Sequence, residues 1–467
     1  MPDESSAVLE RRSIEHVPEN ERHGRVLDLC TLWFGSNIQV TAVVTGALAM
    51  YIGLDLKWAI ITIVVGNALG GIFMAYHSVQ GPRLGVPQMV QSRAQFGFVG
   101  AALPMAIAVV LYLGFATEGG LLAGQALAAK TGMPQPLGIA VFNAVLLVIA
   151  LFGYNLIHRV SKVIAILCGL AFIAIFVALL TKVGSAPAHI SHVTWPIVLL
   201  GISIFVAWQI TWAPYVSDYS RYLPVDISGK KTFWFTYIGS VGGAILAMLI
   251  GVLAVDVGGT AFGDNAFGYL SGSVSGISVL LFIALMLSLI PAGAESPYGA
   301  FLTGLAIISA RGANRAGTAA GRAVAAAVFL TLATVLAIAG SAHMLTTIEN
   351  ITLFLLYLLV PWTAINLTDY LIVRRGSYNI DEFFKRDGEY GLVNWKCVAL
   401  YLVTLAIEIP FVNSSLYEGP IAKHMSGADI AWLVGLVVST VGYLFIARGS
   451  RTAHPANPGP AEARVAA

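Results

Sequence analysis

The sequence predicts an all-α integral membrane protein that crosses the bilayer twelve times, and three observations predict it. Of its 467 residues, 57% are hydrophobic and 11% charged, and the mean hydropathy is +0.81; a soluble domain carries about 25% charged residues. Apolar runs able to cross a hydrocarbon core of about 30 Å recur twelve times. Threading the chain through them from a cytoplasmic N-terminus leaves Lys57, Lys130, Lys182 and Lys423 on the far side and every other Lys and Arg on the near side. A wrong number of spans would mix the two groups, so the positive-inside rule predicts a multi-pass protein of the cell (inner) membrane with both termini cytoplasmic.

In order, the runs are Leu27 to Leu54, Trp58 to Tyr76, Val99 to Ala128, Leu137 to Leu156, Val163 to Thr181, Trp195 to Val216, Phe233 to Val255, Ile277 to Ile308, Ala319 to Leu345, Ile351 to Val373, Val398 to Val412 and Ile430 to Ala447. Ahead of them, 1–26 is polar and lacks the charged, apolar, small-residue order of a cleaved signal peptide, which predicts a cytoplasmic tail. Behind them, 448–467 carries Pro455, Pro458 and Pro460 and reads as a disordered cytoplasmic tail. Between the second and third runs, His77 to Gly97 reads as a long polar loop, either a gate or brace or a plain connector. Asp381 to Arg386 reads as a short amphipathic segment or a solvated loop. Glu408, in the eleventh run, reads as structural or interfacial.

Cys30, Cys168 and Cys397 lie in or beside apolar runs without ligand spacing, so neither a disulfide framework nor a metal site is expected. No phosphate loop, nucleophile elbow or zinc motif is present, which argues against ATP hydrolysis and against an enzyme. No cofactor, nucleic acid or obligate protein partner is expected; the partners are the bilayer and a small solute.

Polar residues inside the apolar runs are the candidates for function. Ala207 to Arg221 combines Trp208, Gln209, Thr211, Trp212 and Pro214. Proline removes a backbone donor and collides with the preceding turn, so the sixth span should bend or break there. In hydrocarbon a broken backbone survives only where it is buried in protein or lines a cavity. The first span opens with Gly35, Ser36, Asn37, Ile38 and Gln39; unwinding at the glycine would present carbonyls to a cation or a planar ligand, with polar helix packing as the alternative. Glu118 and Glu295 are carboxylates deep in the third and eighth spans. An acid there costs about 2.5 to 3.5 kcal/mol on insertion scales and marks a functional position, or else a neutral acid satisfied by a neighbouring carbonyl. Asp218 and Asp369 each end a span ahead of Arg221 or Arg374, and read as cytoplasmic ion pairs that open and close, or as snorkelled surface pairs.

With these residues in view, the sequence resembles the nucleobase:cation symporter-1 family, in its purine and cytosine permease branch. The resemblance is carried by Val17 to Arg22, Trp33 to Gln39, Val86 to Gly97 and Tyr215 to Tyr222, and extends over most of the chain. It implies an amino-acid-transporter-like fold of five plus five helices in inverted repeat with two peripheral helices, helices 1 and 6 discontinuous, and alternating access around a midplane site. The repeats fall at 27–182 and 183–375, and the peripheral helices at 376–447. The implied substrate site is Gln39, Phe115, Glu118, Gly119, Trp208, Gln209, Trp212, Glu295 and Ser296, with Trp208 favoured over Trp212 as the stacking indole. The implied cation-coupling residues are Glu295, Glu118, Gly35 and Ile38. Where sodium-coupled members place eighth-helix hydroxyls, Pro291 and Ala292 stand, and Glu295 replaces an uncharged side chain; both departures point to a proton rather than sodium. The usual third-helix Trp is here Phe115, and the eighth-helix Asn is missing. The expectation is a secondary importer of cytosine or a purine. Alternatives are a carrier of another heterocycle, such as allantoin, a hydantoin or a vitamin precursor, and a channel.

Overall fold

The computed structural model describes residues 14–152, 154–183, 192–309 and 319–448. The tails expected at 1–26 and 448–467 therefore lie partly outside the described residues. Among the described residues the protein is all-helical, apart from one isolated bridge between Asn413 and Glu418.

The chain opens with α1 (Val26–Asn37) and α2 (Val40–Tyr51), which bend by 61° at Ile38 and Gln39. Then come α3 (Leu56–Leu84), the short α4 (Gln88–Gln91) and α5 (Arg93–Phe96), α6 (Ala102–Thr131), α7 (Gln135–Phe152) and α8 (Tyr154–Leu180). The second half contains α9 (Trp195–Ile210), α10 (Val216–Ser220), α11 (Gly229–Gly258), α12 (Thr260–Asp264), α13 (Ala266–Gly272), α14 (Ser278–Ser288), α15 (Ile290–Ser309), α16 (Ala319–Gly340) and α17 (Met344–Thr368). The chain ends with α18 (Trp395–Glu408), α19 (Pro420–His424) and α20 (Ala431–Ile446).

Among the described residues, six segments are long and apolar enough to cross a membrane, or seven if the bent α1–α2 pair is one span. One of the six, Ala323–Val373, runs for 51 residues through α16 and α17 and so holds two of the expected runs. Others of the twelve expected runs overlap α7, α8, α18 and α20.

Three packing groups place the site. α1, α2 and α3 pack against α11, α9 packs along α3, and α10 lies against α3. α6 packs along α15, α7 and α16, while α17, α18 and α20 form a third group. The α2–α11 crossing is backbone on backbone: a Cβ at Gly251 would lie 1.8 Å from Val43 O, and one at Gly46 2.2 Å from Met248 O. Small residues permit this approach where lipid offers no hydrophobic drive for helices to associate.

The stretch expected as a polar loop is structured. α3 runs on through Pro82 to Leu84, and α4 and α5 are buried. Their amides form a brace: Gln80 Nε2 donates to Asn366 Oδ1 at 2.8 Å, and Gln95 Nε2 donates to Asp369 Oδ2 at 2.6 Å. Asp369 meets Arg374 at 3.4 Å with its side chain fully buried, so the pair expected there belongs to the interior rather than the surface. Asp381 to Phe384 forms a 3-10 turn with Phe383 buried, and Arg93 Nη1 donates to the Phe383 carbonyl at 2.9 Å. Glu408 is buried, and among the described residues neither carboxyl oxygen has a hydrogen-bond partner.

Candidate functional site

A cleft lies between α6, α15 and the segment joining α9 to α10. Each element contributes one helical face. Tyr112 and Phe115 come from α6, and Ala292, Glu295, Ser296, Gly299 and Thr303 from α15. Trp212 and Tyr215 come from the third, and Tyr219 from α10 just after it. Spacings of three and four residues bring side chains onto one face, which is why residues so separated in sequence line one wall. The empty space, open mouth included, is about 1030 Å³. Partly exposed Ile14, Pro87 and Asp218 form its rim, and buried Met89 and Arg221 complete the lining.

The joining segment is irregular because its sequence requires it. α9 ends at Ile210, Thr211 and Trp212 turn, and a 3-10 turn over Ala213–Tyr215 carries Pro214 before α10 begins. Pro214 has no backbone N–H to donate, so the loss of α-helical bonding falls where the proline would break it.

The cleft is aromatic along its length. Phe115 and Trp212 lie 5.7 Å apart and tilted by 34°, Trp212 and Tyr215 are 5.4 Å apart, and Tyr112 and Tyr215 are 5.7 Å apart. Behind them, Trp33 packs against Trp212 at 5.7 Å and edge-on to Tyr219 at 5.4 Å. Its polar groups are few. Tyr219 hydrogen-bonds to the Glu295 carboxylate, Thr303 hydrogen-bonds to Tyr112, and Ser296 Oγ donates to Ala292 O at 2.8 Å. Gln88 N donates to Asp218 Oδ1 at 2.8 Å, tying the rim to α4. The indole N–H of Trp212 meets no acceptor among the described residues. A flat, apolar-walled space with a few convergent polar groups suits a planar heterocycle.

Around Trp208, a second polar group is arranged differently. Trp208 Nε1 donates to Asn37 Oδ1 at 2.6 Å, and Asn37 Nδ2 donates to Trp33 O at 2.8 Å and Ser240 Oγ at 3.2 Å. Ser240 Oγ donates to Gln209 Oε1 at 2.7 Å, and Gln209 Nε2 donates to Asn67 Oδ1 at 2.9 Å. This network joins α1, α3, α9 and α11 at the level of the α1–α2 break.

Of the residues singled out from sequence, Phe115, Trp212, Glu295 and Ser296 meet in the cleft; Gln39, Glu118, Gly119, Trp208, Gln209, Gly35 and Ile38 do not line it. Glu118 is 2% exposed, on α6 one turn beyond Phe115, and a Cβ at neighbouring Gly119 would meet nothing within 4 Å. Gln39 Nε2 donates to Ser36 O at 3.1 Å at the break. Ile38 N donates to Phe34 O and Gly35 O, both at 3.2 Å, and Val40 N donates to Ser288 Oγ at 3.1 Å. Sequence reasoning passed over Tyr112, Tyr215, Tyr219, Thr303 and Ile14, and it set Asp218 and Arg221 apart from the site. A signal was available: Trp208, Trp212, Tyr215 and Tyr219 recur at helical spacing as one aromatic stripe. Among the described residues, no group of three His, Cys, Asp or Glu could hold a metal ion.

Residues 16–435 match the family described as "Permease for cytosine/purines, uracil, thiamine, allantoin". The chain is 37% identical over 436 residues to a putative purine-cytosine permease, YxlA, of Bacillus subtilis, covering 93% of this chain and 95% of that protein. It is 26% identical to the purine-cytosine permease fcyB of Emericella nidulans, covering 93% and 88%. Among solved structures, the inward facing conformation of Mhp1 superposes with a TM-score of 0.73 at 20% identity, covering 94% of this chain and 96% of that one.

Proposed function

The chain belongs to the nucleobase:cation symporter-1 family of permeases, and from that premise we propose that it carries cytosine or a purine base across the membrane by alternating access. The observation that carries this reading is the cleft itself, with Trp212 and Phe115 as faces for a ring and Glu295, held by Tyr219, at its edge. A base presents a flat π-surface and a rim of alternating donors and acceptors. Aromatic walls bind the first, and a carboxylate accepts from the ring or exocyclic N–H groups of the second. Trp212, rather than Trp208, supplies the indole face and donates its N–H to a carbonyl or ring nitrogen of the base.

The architecture that goes with this reading is twelve spans: five plus five in inverted repeat (27–182 and 183–375) and two peripheral helices (376–447), with breaks in the first and sixth. The 61° bend at Ile38 and the interruption after Ile210 support the two breaks. With both termini cytoplasmic, the rim faces the cytoplasm. A proton is the coupled ion, with Glu295 and Glu118 as the acids that share edge recognition and proton linkage; protonation removes the charge an acid would otherwise hold inside the membrane.

Uptake of labelled cytosine, adenine, guanine, hypoxanthine and uracil by cells lacking their own carriers tests the reading. Saturable, uphill uptake that a protonophore abolishes is expected; uptake that needs sodium and ignores the protonophore overturns the proton, and flux without saturation overturns the carrier. The family's description also includes thiamine and allantoin, and competition by these unlabelled compounds decides between a nucleobase and another heterocycle.

A further inference from the structure

We propose that Gly299 sets the width of the cleft by giving the ring of Tyr112 its place, and so decides whether two-ring bases are accepted alongside one-ring bases. The inference rests on the nucleobase reading above and adds a specificity determinant to it.

α15 passes directly behind Tyr112. A Cβ at Gly299 would lie 2.5 Å from Tyr112 Cζ, 2.7 Å from Cε1 and 2.9 Å from its hydroxyl oxygen. Carbon atoms prefer separations of about 3.5 to 4.0 Å, so any side chain at 299 displaces the phenol. The cleft that Tyr112 lines is open to that displacement. Tyr112 is 6% exposed, α15 packs along α6 behind it, and Thr303, one turn further along α15, holds its hydroxyl. On the open side stands Tyr215, with ring centroids 5.7 Å apart and planes inclined by 38°. Tyr112 and Gly299 both line the cleft. Pushed from α15, the phenol moves toward Tyr215 and into the space a ligand would fill. The missing side chain at 299 is thus read by the substrate through Tyr112, which acts as a movable wall. A purine spans the space with two fused rings and a pyrimidine with one, so narrowing excludes the purine first.

The test is ligand-induced thermal stabilisation of purified full-length protein by adenine and by cytosine, with competition for uptake in cells as a second readout. Gly299→Ala is expected to weaken adenine about tenfold or more while cytosine stays within about twofold, since a single methyl group in a tight pocket is worth that much discrimination. Adding Tyr112→Leu to Gly299→Ala removes the displaced ring and is expected to restore adenine relative to cytosine. Equal loss of both bases, no change in either, or a double variant that still rejects adenine overturns the inference. A wild-type protein stabilised by neither base instead overturns the nucleobase reading on which it rests.

Discussion

Trp208 and Trp212 stand four residues apart, yet the indole N–H of Trp208 donates to Asn37 at 2.6 Å while that of Trp212 meets no acceptor among the described residues. The two regions they belong to differ in the same way throughout. Around Trp208, the amides of Asn37, Asn67 and Gln209 and the hydroxyl of Ser240 satisfy one another across four helices. Around Trp212, buried aromatic rings line a cleft and the polar groups are fewer. A buried polar network that is complete specifies how helices pack and rigidifies them. A buried donor left over costs free energy in the folded protein, and a ligand that accepts from it recovers that cost. The Trp208 group therefore reads as a pin between helices and the cleft as the place where chemistry is unfinished.

Breaking the cleft at its acid should have the largest effect. Glu295→Gln removes the charge that Tyr219 orients, and transport efficiency is expected to fall about 100-fold, from the loss of a charge-assisted hydrogen bond and the mispairing of the base edge; initial uptake rates over a concentration series measure it. Tyr219→Phe keeps the ring against Trp33 but frees the carboxylate to rotate. The KM for the base should rise about tenfold, as for a lost hydrogen bond to a charged group, with little change in surface expression.

The two indoles give the sharper contrast. Trp212→Phe keeps an aromatic face and deletes the N–H, so the KM should rise about three- to tenfold, the worth of one neutral hydrogen bond, while the melting temperature of the ligand-free protein holds. Trp208→Phe strands Asn37 Oδ1 in the interior and should cost about 1 to 3 kcal/mol of stability, seen as a lower melting temperature with the KM nearly unchanged. If Trp208→Phe alters the KM and Trp212→Phe does not, the roles given to the two residues are reversed.

Much of this arrangement is legible in the sequence. Gly35 to Gln39 and Pro214 announce interruptions, because glycine and proline act on the backbone locally and need no partner to do so. The choice between the two indoles is not legible. Residues four apart in sequence suggest one shared face, and what separates Trp208 from Trp212, both equally buried, is the partner each indole N–H meets. The partner of Trp208, Asn37, lies 171 positions away in the chain. Asp218 and Arg221 escaped for a related reason: a charged pair at a span end looks like surface until tertiary packing brings Pro87, Met89 and Ile14 beside it. The width of the cleft is set by Gly299 against Tyr112, a contact between spans that no local pattern records.

The bend between α1 and α2 gives Val40 an amide whose proton is held by Ser288 at the end of α14 rather than by its own helix. The proton can trade with solvent deuterium only when those two elements part. Its exchange rate in deuterated buffer, followed peptide by peptide in a mass spectrometer, is thus a native clock for how often the break opens, and it requires neither a label nor a substitution.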